Sequence, residues 1–213
     1  MEQFSVSIKG VLKVDDKFLL RRNERGEFEL LGGRIEKSDA SLEQRLETEF
    51  LEESGIKVKV LEAREPWLYQ VGTGRVVIVP FVCSCLNIPD KLEDGDGGTL
   101  HWINSDQINN LFMPQGYKDT INGVIPRTSS SLPAKKFFKI IHNYIDYKYC
   151  VRICLKHDEE ILFCEALRAD NFINNSIREF IYKNLECHGR IKFQSVMINN
   201  SHDTVTLNYI MEL

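Results

Sequence analysis

Gly32-Gly33-Arg34-Ile35-Glu36-Lys37-Ser38-Asp39-Ala40-Ser41-Leu42-Glu43-Gln44-Arg45-Leu46-Glu47-Thr48-Glu49-Phe50-Leu51-Glu52-Glu53-Ser54-Gly55-Ile56 is the stretch on which the reading of this 213-residue chain turns. The glycine pair marks a loop, and Gly55 suits the C-cap of a helix over 41–54. At about 100° per residue, Leu42, Leu46 and Phe50 share one apolar stripe about 80° wide. Glu53 projects into the middle of that stripe, with Glu49 and Glu52 beside it. Three carboxylates therefore converge at the border of core and solvent, where they repel one another and are costly to bury in part. A hard cation such as Mg²⁺ resolves both problems, because it takes carboxylate and carbonyl oxygens and shares substrate phosphates. The glycine pair lets the loop before the helix approach closely and present backbone carbonyls to such an ion. A metal held this way neutralises a diphosphate and activates water. The competing reading is a solvated, charged helix face.

Outward from this stretch, the pattern predicts strands over 4–14, 17–22, 58–62, 67–70, 75–86 and 100–104, and a helix over 105–111. The continuous apolar run from Val76 to Val82 suits a strand buried on both faces. This is an α/β arrangement with a mixed sheet. From Gly123 to Pro133 two prolines and a serine run break the pattern, which marks a linker. The chain divides into residues 1–128, a linker over 129–133, and 134–213. At about 150 residues per domain the length alone allows roughly 1.4 domains. Residues 1–133 carry 16 Lys+Arg against 21 Asp+Glu, and residues 134–213 carry 11 against 10, so the acidity belongs to the first part. The second part reads as a helix over 134–146, strands over 147–156 and 160–165, a helix over 171–185, and strands over 190–199 and 204–211. The last five make a small α+β module of ββαββ type.

Hydrophobic residues make up 43% and charged residues 27%, values that argue against disorder. A net charge of −4 argues against a dedicated nucleic-acid binder. No apolar run approaches the ~18–20 residues of a membrane span, and the first residues do not read as a signal peptide. A cytoplasmic protein without a membrane role is the expectation. The six cysteines are sparse and do not suggest a disulfide framework. Cys150, Cys154, Cys164 and the Cys187-His188 pair lack zinc-site spacing, and buried thiols are the favoured reading.

Other residues suit a nucleotide ligand. Arg21 and Arg22 end a strand near the glycine loop, where one could grip a diphosphate bidentately, and Arg34 adjoins Gly33. The alternative for all three is surface charge. Trp67 and Tyr69 alternate on one strand face and suit either base stacking or core packing. Trp102 suits the core.

The quoted stretch resembles the box of the Nudix hydrolases, G-x5-E-x7-R-E-U-x-E-E-x-G-U with U apolar. Gly55, Glu53, Glu52, Phe50 and Glu49 fall in register back from Ile56, and Gly33 matches the opening glycine. The lead-in Gly26-Glu27-Phe28-Glu29-Leu30-Leu31-Gly32-Gly33 looks like the family's G-x-W-E-L-P-G-G. The resemblance spans about residues 4–121. Three departures stand out: Thr48 replaces the box arginine, Asp39 or Ala40 replaces the front glutamate, and one residue is inserted after Gly33. The resemblance implies an α/β/α sandwich that hydrolyses a nucleoside diphosphate linked to another group, ADP-ribose or a nucleotide-sugar above all. It implies that Glu49, Glu52, Glu53 and the Gly33 carbonyl bind Mg²⁺ or Mn²⁺. It assigns the attacking water to one of the glutamates or to a loop acid such as Glu93 or Asp96. Residues 134–213 lie outside the resemblance. A homodimer contact or a cover over the active site is expected of them. The main rival is a nucleotide-sensing domain with weak or no turnover coupled to an interaction module, and a third reading is an adaptor for another protein.

Overall fold

A computed structural model describes residues 2–89, 92, 94, 98–126, 129, 130, 132, 147–158, 160–168, 173–184 and 190–212. Strands β1 (Ser5–Val14) and β2 (Lys17–Arg22) form an antiparallel hairpin whose turn uses Asp15 at a left-handed φ of 52°. The short β3 (Phe28–Glu29) lies beside β2. Helix α1 (Leu42–Ser54) begins at Ser41, whose side chain accepts the Gln44 N–H at 3.1 Å. It ends at Gly55 with φ 70°, where the Gly55 N–H reaches the Leu51 carbonyl at 2.9 Å, as the sequence predicts.

Strands β4 (Val58–Ala63), β5 (Trp67–Val71), β6 (Gly74–Cys85) and β7 (Thr99–Asn104) follow. Helix α2 (Gln115–Ile121) and the two-residue β8 (Ser129–Ser130) complete the first sheet assembly. The order is β3-β2-β1-β6-β5-β8, with β4 also on β6 and β7 also on β2. β1 and β6 run parallel from Ser5↔Val76 to Leu12↔Cys83 while β6 is antiparallel to β4 and β5, so the sheet is mixed as expected. Leu46 and Phe50 bury the inner face of α1 completely. Gly10 of β1 admits the Phe50 ring, which a Cβ there would strike.

Local details depart from the sequence pattern. The helix expected over 105–111 is a short 3₁₀ helix, Ser105–Asn110. Helix α2 has no counterpart in the sequence pattern, and Gly116 lies inside it. A Cβ at Gly116 would stand 2.5 Å from the Trp67 ring, so packing against Trp67 decides that residue. Ser129 and Ser130, within the stretch read as a linker, pair in parallel with Tyr69 and Gln70 of β5. Nothing in a serine pair bars an edge strand, and the backbone bonds available on β5 outweigh the composition signal.

The second sheet is built from β9 (Cys150–His157), β10 (Glu160–Ala166), β11 (Arg190–Asn199) and β12 (Thr204–Glu212), with helix α3 (Ile173–Asn184) between the two hairpins. The order is β10-β9-β12-β11, with β9 and β12 parallel at the centre. This is the small ββαββ module expected. α3 buries Ile173 and Ile177 and places Phe180 4.7 Å from Phe163. The helix expected over 134–146 lies outside the described residues. Against expectation, Cys154 and Cys164 form a disulfide. They face each other across the β9–β10 hairpin, a juxtaposition that spacing alone does not reveal. Both are thereby withdrawn from any zinc set.

The two sheets are joined. Phe4 and Tyr149 exchange backbone hydrogen bonds of 2.8 Å in both directions. Lys148 Nζ donates to Ser5 Oγ at 2.9 Å, and Asn200 Nδ2 donates to the Asp39 carbonyl at 2.9 Å. Lys37 pairs with Asp203 at 2.9 Å. One apolar cluster runs from Val6, Leu46 and Phe50 to Tyr149, Val151 and Leu207. Among the described residues no helix is long and apolar enough to cross a membrane.

Candidate active site

The chain before α1 runs along β1: Ile8 N–H donates to the Gly33 carbonyl, and Gly10 N–H to the Leu31 carbonyl, both at 2.9 Å. Gly32 adopts φ 122°, where a Cβ would collide with the Ile8 carbonyl and approach Leu46 to 2.9 Å. This tight passage sets the glycine loop against Leu46, Glu49 and Glu53 of α1. Gly32 N–H donates to Glu53 Oε2 at 2.8 Å. Gly33 lies directly against the Glu49 carboxylate, in space that a Cβ would fill.

Glu49 and Glu53 are 7% and 4% exposed, whereas Glu52 faces solvent. The two buried acids are not bare. Arg45, one turn earlier on α1, pairs with Glu49 and lies 3.9 Å from Glu36. Lys9 of β1, 7% exposed, donates from Nζ to the Gly32 carbonyl at 2.5 Å. Burial pushes the Glu53 carboxyl up to about 7, against the pull of Lys9, the Gly32 amide and Arg21. Burial likewise raises the Glu49 carboxyl, opposed by Arg45 and Lys9.

Arg21 is mostly buried, with Nε on Asp94 at 2.7 Å and Nη1 on Glu29 at 3.4 Å. Arg22 is exposed and reaches the Gly26 carbonyl at 3.4 Å. Arg34 is exposed beside Gly33. Trp67 and Tyr69 are 2% and 5% exposed and pack edge-on to each other and around Tyr117, so the core-packing alternative describes their surroundings. The Tyr69 hydroxyl donates to buried Glu27 at 3.0 Å, and Glu27 also receives Arg25. Glu93 and Asp96 lie outside the described residues.

Three residues beside the glutamates escaped the motif. Lys9 had a signal, as a cation in the middle of a strand whose other residues from Ser5 to Leu12 carry no charge. Arg45 had one too, four residues before Glu49, the spacing at which helix side chains meet. Asp94 had none beyond its acidic loop.

The donor set suits a hard divalent ion. Two buried carboxylates stand on a loop without side chains, and the Gly33 carbonyl keeps a lone pair beyond the one used by Ile8. Lys9 and Arg45 bring positive charge to the same carboxylates. Among the described residues no three His, Cys, Asp or Glu side chains already form a metal cage. An alanine at Gly33 is expected to displace the Glu49 carboxylate, to destabilise the fold by about 1–3 kcal/mol, and to weaken Mn²⁺ binding. Denaturant melts and a Mn²⁺ titration of Gly33→Ala check this, and unchanged values in both would contradict it.

No family model and no curated protein matches the chain. Solved structures are similar to it. A MutT protein from Methanosarcina mazei is 18% identical with a TM-score of 0.49, over 56% of this chain and 91% of that one. A Nudix hydrolase from Nitrosomonas europaea is 16% identical with a TM-score of 0.47, over 62% and 81%. An ADP-ribose pyrophosphatase from Streptococcus suis is 20% identical with a TM-score of 0.37, over 48% and 75%.

Proposed function

We propose that this protein is a Nudix-type pyrophosphatase that hydrolyses a pyrophosphate bond in a nucleoside diphosphate derivative, ADP-ribose or a nucleotide-sugar being the leading substrates. The observation that carries the reading is the seating of Glu49 and Glu53, buried on one face of α1, against a loop in which Gly33 leaves room for a carboxylate. Burying two carboxylates side by side is costly even with Lys9 and Arg45 to answer them, and a metal-binding role accounts for keeping both. Glu49, Glu52, Glu53 and the Gly33 carbonyl would hold Mg²⁺ or Mn²⁺. When bound, that ion supplies neutralisation of the diphosphate and an activated water. The chain's own part is positional. The Gly32 amide fixes Glu53. In this reading Arg21, Arg22 and Arg34 would serve as phosphate partners, Arg21 by exchanging part of its hold on Asp94 and Glu29. One of the glutamates, or Glu93 or Asp96, serves as base. A small-molecule nucleotide is the partner in this reading, in the cytoplasm, with residues 134–213 as a further contact surface, including for a homodimer.

Thr48 in the box-arginine position favours the rival, a nucleotide sensor with weak or no turnover. One assay separates them. The protein is incubated with a panel of nucleoside diphosphate derivatives and Mg²⁺ beside the Glu52→Gln/Glu53→Gln double variant. The enzyme reading expects metal-dependent release of a nucleoside monophosphate or phosphate that the variant loses. Tight binding without turnover by the parent protein decides for the sensor.

A further inference from the structure

We propose that Lys9 is the resident counter-ion of the glutamate site, an ammonium seated on the Gly32 carbonyl that a divalent cation must contest in order to bind. This rests on the reading of Glu49 and Glu53 as metal-binding carboxylates. A buried lysine inside a strand is unusual: β1 is buried from Ser5 to Leu12, with Ser7 and Val11 flanking Lys9 on its own face and Val6, Ile8 and Leu12 on the other. Burying an ammonium costs several kcal/mol unless charge and hydrogen bonds answer it. One answer is the Gly32 carbonyl at 2.5 Å. The other is the pair of carboxylates on α1, since the Lys9 charge acts on both Glu49 and Glu53.

The other cations near the site pair with carboxylates other than Glu53. Arg45 is held by Glu49 and Glu36, and Arg21 by Asp94 and Glu29. Lys9 is therefore the cation with the largest pull on Glu53, ahead of the Gly32 amide and Arg21. It also occupies a carbonyl of the same glycine loop that is proposed to serve the ion. A fixed positive charge beside a cation site lowers its affinity for a second cation, as one like charge disfavours another. The metal-free site is then internally neutralised, and metal loading is weak by construction.

The test is a Mn²⁺ titration of the full chain, following the free ion by electron paramagnetic resonance, with melting temperatures taken alongside. Lys9→Met, Lys9→Gln, Glu53→Gln and the Lys9→Met/Glu53→Gln double variant are compared with the parent. Lys9→Met and Lys9→Gln are expected to bind Mn²⁺ at least about tenfold more tightly than the parent. Mn²⁺ should raise their melting temperatures more than the parent's, and adding Glu53→Gln should abolish the gain. If the parent binds Mn²⁺ through Glu53 but neither lysine variant binds it more tightly, the counter-ion role of Lys9 falls and the metal-site reading stands. If neither parent nor variants bind Mn²⁺ at millimolar concentration, the metal-site reading falls and takes this proposal with it. Lysine variants that stay unfolded even in Mn²⁺ also overturn the proposal, because the ion would then be unable to replace the ammonium.

Discussion

Glutamine at position 53 is expected to lower metal-dependent turnover by at least about 10²-fold and to flatten the pH dependence of stability of the metal-free protein. The first effect follows from removing a buried anionic oxygen that the Gly32 amide holds in place. The second follows from proton linkage. In the folded chain the Glu53 carboxyl titrates at about 7, above its ordinary 4.5. Between those values the folded state keeps a proton that the unfolded state has released. Stability therefore falls as pH rises from about 4.5 to about 7 and is level above that. The ceiling on this loss is about 3 kcal/mol, from the linkage of pKa shift to free energy. Glu49, also raised by burial, adds to the same slope. Denaturant unfolding in EDTA at pH 5, 6, 7 and 8 reads it directly. The parent minus Glu53→Gln difference should shrink across that range. A difference independent of pH would show that Glu53 is ionised throughout and not pushed up by its burial.

The glutamate face was legible because helix geometry is periodic. Leu42, Leu46 and Phe50 had to turn inward together, and Glu53 shares their stripe, so its burial follows from spacing alone. The caps at Ser41 and Gly55 were legible for the same local reason. What the sequence did not disclose is what answers those buried charges. Lys9 is 44 residues from Glu53 and acts on it only because β1 runs beside the glycine loop, a tertiary event with no local signature. The partners of Arg21 were hidden likewise, since Asp94 approaches from a loop 73 residues away. Trp67 and Tyr69 illustrate a different limit. Alternation placed both on one face of a strand, but whether that face meets a ligand or Tyr117 depends on α2, which Gly116 disguised. The ββαββ order of the second sheet followed from period-2 patterning and turn residues. Its attachment to the first sheet did not, because the Phe4–Tyr149 exchange joins residues with no sequence relation.

That attachment carries the other large effect. A fragment ending at residue 133 is expected to lose cooperative folding, although the motif lies wholly within it. Phe4, 3% exposed in the full chain, would lose its backbone pairing with Tyr149 and an end of the apolar cluster it shares with Val151 and Leu207. Val60, Ala63 and Phe81 line one cleft of about 550 Å³ together with Phe193, Val196 and Ile210. Without the second sheet their shared boundary opens to water. The phenol of Tyr209, pushed well above its ordinary range by burial and by Glu65, marks another seam that would come apart. Re-exposing even two or three large apolar side chains costs on the order of 5 kcal/mol. That is comparable to the whole stability of a typical domain, about 5–15 kcal/mol. The Asp39 carbonyl and Lys37, just before α1, would also lose Asn200 and Asp203, and with them an anchor of the loop leading into the glutamate helix. Circular dichroism melts and limited proteolysis of residues 1–133 beside the full chain test this. A fragment that melts cooperatively at the parent temperature and keeps the parent's Mn²⁺ affinity would show that the second sheet is a detachable module. In that event its role would be sought in contacts with other molecules, the homodimer among them, and not in support of the site.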